Sequence, residues 1–414
     1  MRAVGLIVEY NPFHNGHLYH LRQSVKLTEA DAVVAVMSGN FLQRGEPAMW
    51  DKWTRTRMAL EGGCDLVIEL PVAYATHAAE WFAYGAVSLL EATGVVDAFC
   101  FGTESGELAP LLQAAEIAAS EPPCFQALLR NQLDTGVSYP VAYSDALQAY
   151  LTEQGHAAAA SFPFNTPNHT LGLHYLIALK RIKGAMSPYT IAREKAQYHQ
   201  ESITDGSIAS ATAIRKLLLE SESLEAAKPF VPVSTYRNIQ SCASTGVSPV
   251  SWERYMPALM HKLLTINTAQ LASYRDVSEG LEHRILNAMP ELGEASFGEL
   301  LSLLKTKRYT RTRLQRALLS VLLEHAQEEF TPDKLAGGVE YIRVLGFTER
   351  GRTLLKRMRV TSSLPVLLSA ARPPEPYRYL DLDVRASNAY MLGASGRHLS
   401  ASLFRDYREK PVMI

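Results

Sequence analysis

The chain has 414 residues, 47% hydrophobic and 20% charged, with a formal net charge of −1. That composition excludes intrinsic disorder and collagen-like or low-complexity architecture, and the length suits two or three domains with substantial cores. Charge is unevenly spread: residues 1–230 hold 16 Lys and Arg against 24 Asp and Glu, a net of −8, and residues 231–414 hold 25 against 18, a net of +7. Such asymmetry points the second half toward a polyanion, although an Arg-rich helical half is also basic without any partner.

The most apolar runs, at 31–37, 65–70 and 317–323, are far shorter than a bilayer span, so no membrane contact is expected. Residues 1–4 lead straight into a first strand, and the expectation is that no signal or transit peptide precedes the fold. Strands are predicted at 2–9, 31–37, 65–70, 95–101 and 189–193, with helices at 17–24, 53–61 and 77–93. This alternation predicts right-handed βαβ units and a parallel sheet covered on both faces. Gly62-Gly63 closes a helix just before a strand. From about 107 to 166 the pattern is helical and Ala/Leu-rich, broken by Glu121-Pro122-Pro123 and Ser138-Tyr139-Pro140, which predicts a helical insertion.

After a helix at 211–220, residues 221–257 are rich in Ser, Thr, Gly and Pro and read as a boundary or linker. The expected division is therefore 1–225 and 226–414. Helices are predicted beyond it at 258–266, 280–288, 297–304, 313–326 and 352–358, with a short β-like stretch at 377–384. Cys64, Cys100, Cys124 and Cys242 show no metal-ligand spacing, and the first two sit beside apolar strands as buried free thiols. No structural zinc is expected.

The first strand exits into a loop holding His14 and His17 around Gly16, with a helix starting at about His17. In an open α/β sheet, ligands bind outside the carboxyl ends of the strands, where this loop falls. Gly16 permits close backbone approach, and the helix start offers N–H groups to an anion. Two imidazoles there can donate to phosphate oxygens as charge builds during displacement at phosphorus. Two histidines three apart can equally cap a helix or line a core; their place between strand one and helix one favours the chemical reading. A metal site lacks its third and fourth ligands nearby, and no Walker-type phosphate loop occurs.

Residues 10–18 resemble the signature of the nucleotidyltransferase superfamily in its His-x-Gly-His form, which implies a Rossmann-like, doubly wound parallel sheet. The likeness then narrows. Residues 9–20 and 38–47, Phe101-Gly102-Thr103-Glu104, Pro167-Asn168-His169-Thr170-Leu171-Gly172 and Ser210-Ala211-Thr212-Ala213-Ile214-Arg215 resemble the bacterial tRNA(Met) cytidine acetate ligase family. Residues 307–314, 343–352 and 383–390 continue it, so the resemblance spans essentially the whole chain. It implies an ATP-dependent enzyme that forms acetyl-adenylate and passes the acetyl group to N4 of the wobble cytidine of elongator tRNA(Met), in the cytoplasm. Mg²⁺ would accompany the triphosphate, with no dedicated protein site visible.

By the same resemblance, ATP would meet Ile7, Val8, Glu9, Tyr10, Asn11, Pro12, Phe13, His14, Asn15, Gly16, His17, Leu18, Tyr19 and His20, then Gly102, Asn168 and Arg193. His14 and His17 are the expected catalytic pair. Asn168 is alternatively a helix cap, and His169 stands where the family usually has a second Asn. Arg193 is alternatively an ion-pair partner of Glu194 or Asp205. Asn40, Gln43 and Arg44, after the second strand, could place acetate or the base, although turns are commonly polar. Thr212 and Arg215 resemble a second phosphate-side motif, with helix capping as the other reading.

Lys305, Lys307, Arg308, Arg311, Arg313 and Arg316 crowd twelve residues around Tyr309; Arg350, Arg352, Lys356, Arg357 and Arg359 form a second cluster. Such density suits RNA phosphates, and the aromatic could stack on a base; the plain alternative is a solvated helix face. Two other functions stay open: a small-molecule adenylyl- or cytidylyltransferase of cofactor metabolism, and a non-catalytic ATP- and RNA-binding protein.

Overall fold

The computed structural model describes residues 1–192, 209–220, 224–394 and 402–414. Five strands, β1 (Ala3–Val8), β2 (Ala32–Ser38), β3 (Leu66–Leu70), β4 (Ala98–Thr103) and β5 (Ser187–Ala192), run parallel in the order 5-4-1-2-3. The alternating side chains of β2 show how the sheet becomes two-faced. Ala32, Val34 and Val36 join one hydrophobic core and Val33, Ala35 and Met37 the other. Helices α1 (Asn15–Thr28), α2 (Lys52–Glu61) and α3 (Ala79–Ala92) connect or cover these strands. Three helices at Ala109–Ser120, Pro123–Asp134 and Tyr139–Glu153 form the expected insertion ahead of α4 (Pro167–Arg181).

The chain reverses its direction of travel across the sheet between β1 and β4. Their pairing is limited to Val4↔Ala98 and Gly5↔Phe99, whereas β1 and β2 pair over six residues. The two strands therefore part before their carboxyl ends and leave a crevice at the topological switch point.

The stretch read as a linker contains structure. After α5 (Ala211–Glu220), a helix spans Val233–Ser244, and Phe230, Val231, Tyr236 and Ile239 are buried with Ala213, Ile214 and Leu218. Tyr236 and Ile239 lie three apart, enough apolar surface to dock a helix inside a segment whose composition looks loop-like. The helices Met256–Thr265, Leu281–Ala288, Phe297–Leu304 and α6 (Arg311–Leu323) follow. Their buried leucines belong to the same core as the sheet face carrying Val34 and Leu66.

Three further strands come from the second half. β6 (Ile342–Phe347) pairs antiparallel with β3, and both β7 (Val366–Leu367) and β8 (Val412–Met413) pair with β6. Between β6 and β7 runs α7 (Glu349–Thr361). The β-like stretch at 377–384 is instead part of α8 (Arg378–Ala394). Tyr379, Leu382, Ala386 and Tyr390 face the main core, while Leu380 and Val384 face a small cluster with Tyr341 and Leu367. A helix buried on two sides puts apolar residues at every other position, which imitates strand alternation.

A buried ionic knot joins β3, α2 and the second half. Lys52 Nζ lies 2.6 Å from Glu69 Oε1 and 2.6 Å from Asp406 Oδ1, and Arg343 Nη1 is 3.3 Å from Glu69 Oε2 and bonds Asp406 as well. All four side chains are at most 4% exposed. Burial alone would raise the Asp406 carboxyl, yet Lys52 and Arg343 outweigh it and hold it down at about 2. Its stabilising contribution is thus complete above the ordinary carboxylate range and is lost as pH falls toward that value. Asp383, hydrogen-bonded by Val72 N and Tyr341 Oη, is pushed up to about 7 by burial and then by Glu69, so its contribution weakens as pH rises toward 7. Replacing Lys52 by Met removes one partner from buried charges and should cost about 3–5 kcal/mol in urea unfolding.

Candidate active site

Past Val8 the chain turns through residues 9–14 into α1. Tyr10 takes a left-handed backbone at φ 47°, a conformation that costs a non-glycine residue roughly 1–2 kcal/mol. Its buried ring packs edge-on to Phe13 and His17, with centroids 4.7 and 5.0 Å away. Its hydroxyl lies 3.7 Å from Cys64 Sγ, a thiol that burial pushes up to about 12 and so keeps protonated. Fixing Tyr10 in turn fixes His17.

His14 and His17 cap α1 reciprocally. His14 Nδ1 accepts from His17 N and His17 Nδ1 accepts from His14 N, both at 3.3 Å. A ring nitrogen that accepts an N–H carries no proton, so the proton of each neutral imidazole sits on Nε2. The rings stack with centroids 3.6 Å apart and planes 24° apart, and a Cβ at Gly16 would lie 2.9 Å from His14 Cε1. The capping reading therefore holds, with Nδ1 of each ring building the helix start, and both rings also face a cleft.

Both histidines line a cleft of about 1700 Å³, counting its open mouth, at the splayed ends of β1 and β4. The β1 exit contributes Ile7, Val8, Glu9, Tyr10, Asn11, His14, Gly16, His17, Tyr19 and His20. Pro12, Phe13, Asn15 and Leu18 do not line it. Pro12 and Phe13 are buried, Asn15 Nδ2 donates to Pro229 O, and Leu18 packs on the core. Phe101 and Gly102 come from β4, and Asn168 from α4. Asn168 is not the cap, since Thr166 holds that position. Instead Glu104 accepts from Asn168 N, Asn168 Nδ2 and His169 N at 2.8–2.9 Å. Those Asn168 bonds outweigh burial and hold the Glu104 carboxyl below its ordinary value. His169 is 1% exposed and hydrogen-bonded to Ser105 and Thr166, so it is held in the packing behind Asn168. Arg193 lies outside the described residues.

The residues after β2 divide. Gln43 and Arg44 line the cleft. Asn40 does not, because its Nδ2 donates to Ser387 Oγ and its Oδ1 accepts from Lys52 N, beside a small separate cavity. Gln43 N donates to Glu9 Oε1 at 2.7 Å and its Nε2 donates to His77 O. Ser210, Thr212 and Arg215 also line the cleft; the capping reading holds for Ser210, whose Oγ accepts from Ala213 N at 3.0 Å, and Arg215 reaches Asn11 O, Thr212 Oγ1 and Glu46. Sequence reading missed Phe82, Leu171 and Tyr175, which line the cleft as apolar helix residues and carry no signal that separates them from core.

The first basic cluster adjoins this cleft. Gly45, at φ +76°, would place a Cβ 2.6 Å from the Arg316 backbone, and Gln315 Nε2 donates to Glu46 Oε1. Lys305, Lys307, Arg308 and Arg311 are exposed; Arg308 and Arg313 pair with Glu279 at 3.2 and 3.0 Å. Tyr309 cannot be the stacking platform envisaged, because it is 6% exposed and its hydroxyl donates to Glu279 O. The second cluster lies on α7 by the amino-terminal ends of β1, β2 and β3, at the other end of the strands from the cleft, where Arg350 donates to Asp31 O and Arg357 to Met1 O.

The fold and the paired-histidine loop at the switch point define a nucleotidyltransferase of the HIGH class, and the HIGH Nucleotidyl Transferase family matches residues 1–402. The chain is 40% identical to the tRNA(Met) cytidine acetate ligase of Acetivibrio thermocellus over 400 residues, 95% of each chain. It is 40% identical to that of Halalkalibacterium halodurans over 417 residues, covering 100% of this chain and 98% of the other. The Thermotoga maritima TmcAL structures align over 100% of both chains, at TM-score 0.92 and 35% identity without nucleotide and at 0.90 and 34% bound with alpha-thio ATP. The chain belongs to the tRNA(Met) cytidine acetate ligase family.

Replacing His14 by Ala should lose about 1 kcal/mol of stability with the cap. His14→Asn, which restores a capping acceptor, should recover it in thermal unfolding.

Proposed function

We propose that this protein activates acetate with ATP and acetylates N4 of the wobble cytidine of elongator tRNA(Met), working in the cytoplasm. The observation that carries the reading is the pair of stacked histidines, His14 and His17, in the switch-point cleft of a chain similar along its whole length to ligases of that name. Residues 1–225 would hold ATP and residues 226–414 would hold the tRNA. Of the described residues, no helix is long and apolar enough to cross a membrane.

An acetate oxygen attacks the α-phosphorus, and pyrophosphate leaves with the electron pair of the broken P–O bond. His14 and His17 donate from Nε2 to the oxygens on which charge accumulates, a role suited to donors held rigid before the reaction begins. Arg215 adds a fixed positive charge on the opposite side of the cleft. Mg²⁺, travelling with the triphosphate, would neutralise its charge. The cytidine amine, too weakly nucleophilic to attack acetate itself, then takes the acetyl group from acetyl-adenylate, and AMP leaves with the electron pair of the broken acyl C–O bond. Gln43 and Arg44 would stand on the acceptor side, and Lys305, Lys307, Arg308, Arg311 and Arg313, the first four exposed, would meet the anticodon stem. The target base must be splayed from its loop to enter.

Labelled acetate should appear on cytidine of unmodified tRNA(Met) only with ATP, and not in total tRNA stripped of that species. Label independent of ATP, or absent while pyrophosphate is released, would defeat the proposal. His14→Asn should lower acetate-dependent ATP–pyrophosphate exchange about 10²–10³-fold with its cap preserved. Charge reversal at Lys307 and Arg311 should weaken tRNA binding and flatten its dependence on salt, as read by filter binding between low and moderate ionic strength.

A further inference from the structure

Glu9 is a carboxylate in a cleft otherwise suited to a polyphosphate, and the adenylation step gives it no task. It is held in a definite pose. Its Oε1 accepts from Gln43 N at 2.7 Å and from Ser38 Oγ at 3.5 Å, and its main-chain carbonyl accepts from Arg55 Nη1 at 2.5 Å. Among the described residues, Oε2 takes no hydrogen bond, and Glu9 lines the cleft. One oxygen is thus pinned and the other is offered to a ligand.

A carboxylate repels phosphate oxygens and attracts N–H groups. The second half-reaction needs such an acceptor, because the cytidine amine must lose a proton as its nitrogen bonds to carbon. His14 and His17 each have Nδ1 committed to a backbone N–H at the helix start. Glu46 is turned toward Arg215 and Gln315. We propose that Glu9 accepts the N4 proton during acetyl transfer. N4 attacks the acyl carbon of acetyl-adenylate, the acyl C–O bond breaks with its electron pair leaving on AMP, and the N4 proton passes to Glu9 Oε2. The inference rests on the acetyl-transfer reading above.

The electrostatic setting agrees. Burial raises the Glu9 carboxyl above its ordinary value; the Gln43 N–H opposes this, Glu46 adds to it, and Arg44 and Arg55 oppose it. His14, His17, His20 and Arg215 share the cleft. A base whose proton affinity lies nearer neutrality is better matched to this transfer than an ordinary carboxylate.

The test is single-turnover acetyl transfer from synthetic acetyl-adenylate to unmodified tRNA(Met), without ATP, across the acid and neutral range. The wild type should lose rate on acidification with a midpoint above 4.5, the ordinary value for this group. Glu9→Gln, which keeps an amide oxygen for Gln43 N, should transfer about 10²–10⁴-fold more slowly and lose that acid limb. Glu9→Asp should keep the limb at a lower plateau. An acid limb that persists in Glu9→Gln overturns the assignment, as does a fall in transfer no larger than the fall in ATP–pyrophosphate exchange. Failure of the wild type itself to transfer from acetyl-adenylate overturns the acetyl-adenylate reading instead.

Discussion

Arg55 sits wholly buried in α2 and donates to four main-chain carbonyls, those of Glu9, Ser38, Gly39 and Trp50. Past the last pairing of β1 with β2, at Val8↔Met37, the carbonyls that follow need other donors in a place where water is scarce. A guanidinium carries five donors in a rigid fork and answers that need from one side chain. Burial lowers the pKa of Arg55, and Glu9 is among the acids that oppose the shift. The ends of β1 and β2, the pose of Glu9 and the loop that presents Gln43 therefore depend on a residue absent from the cleft lining.

The far edge of the same sheet poses a different problem. A parallel sheet ending at β3 would expose an unpaired strand rich in apolar side chains, a hazard that native proteins cover. Here β6 covers it antiparallel, and Lys52, Glu69, Arg343 and Asp406 neutralise one another beneath it. An ionic knot of this kind contributes little net stability compared with apolar packing, but it penalises any pairing that leaves a charge alone. It therefore favours one docking of the second half on the first.

That docking brings the basic second half against the cleft-bearing first half. The loop after β2 has Gln43 and Arg44 on the cleft, Gly45 against the backbone of α6, and Glu46 between Gln315 and Arg215. The basic cluster precedes and begins α6, so a polyanion held there lies a few residues from the cleft rim. The α7 cluster, equally basic in sequence, is held at the amino-terminal ends of the strands by its contacts with the chain before β1 and β2.

The βαβ alternation, the insertion and the paired histidines were legible in the sequence because each rests on local periodicity or on adjacency along the chain. The whole-chain resemblance was legible for the same reason, since its motifs are short and contiguous. The helix in the supposed linker was not, because its Ser- and Thr-rich composition offers only a few apolar residues, nor was the helix in place of a late strand, because burial on two sides erases the usual period. Asn40 and Tyr309 looked available and are not; partners at Ser387 and Glu279 occupy them, and no local rule predicts a contact across hundreds or tens of residues. By itself the sequence determined which residue types stand at the first strand exit and that the second half is basic. Only the tertiary structure decided which atoms remain to act: Nδ1 of both histidines is consumed in the helix cap, one oxygen of Glu9 is pinned, and one basic cluster of two meets the cleft. Those outcomes follow from hydrogen-bond saturation and packing between distant segments, which exist only once the chain has folded.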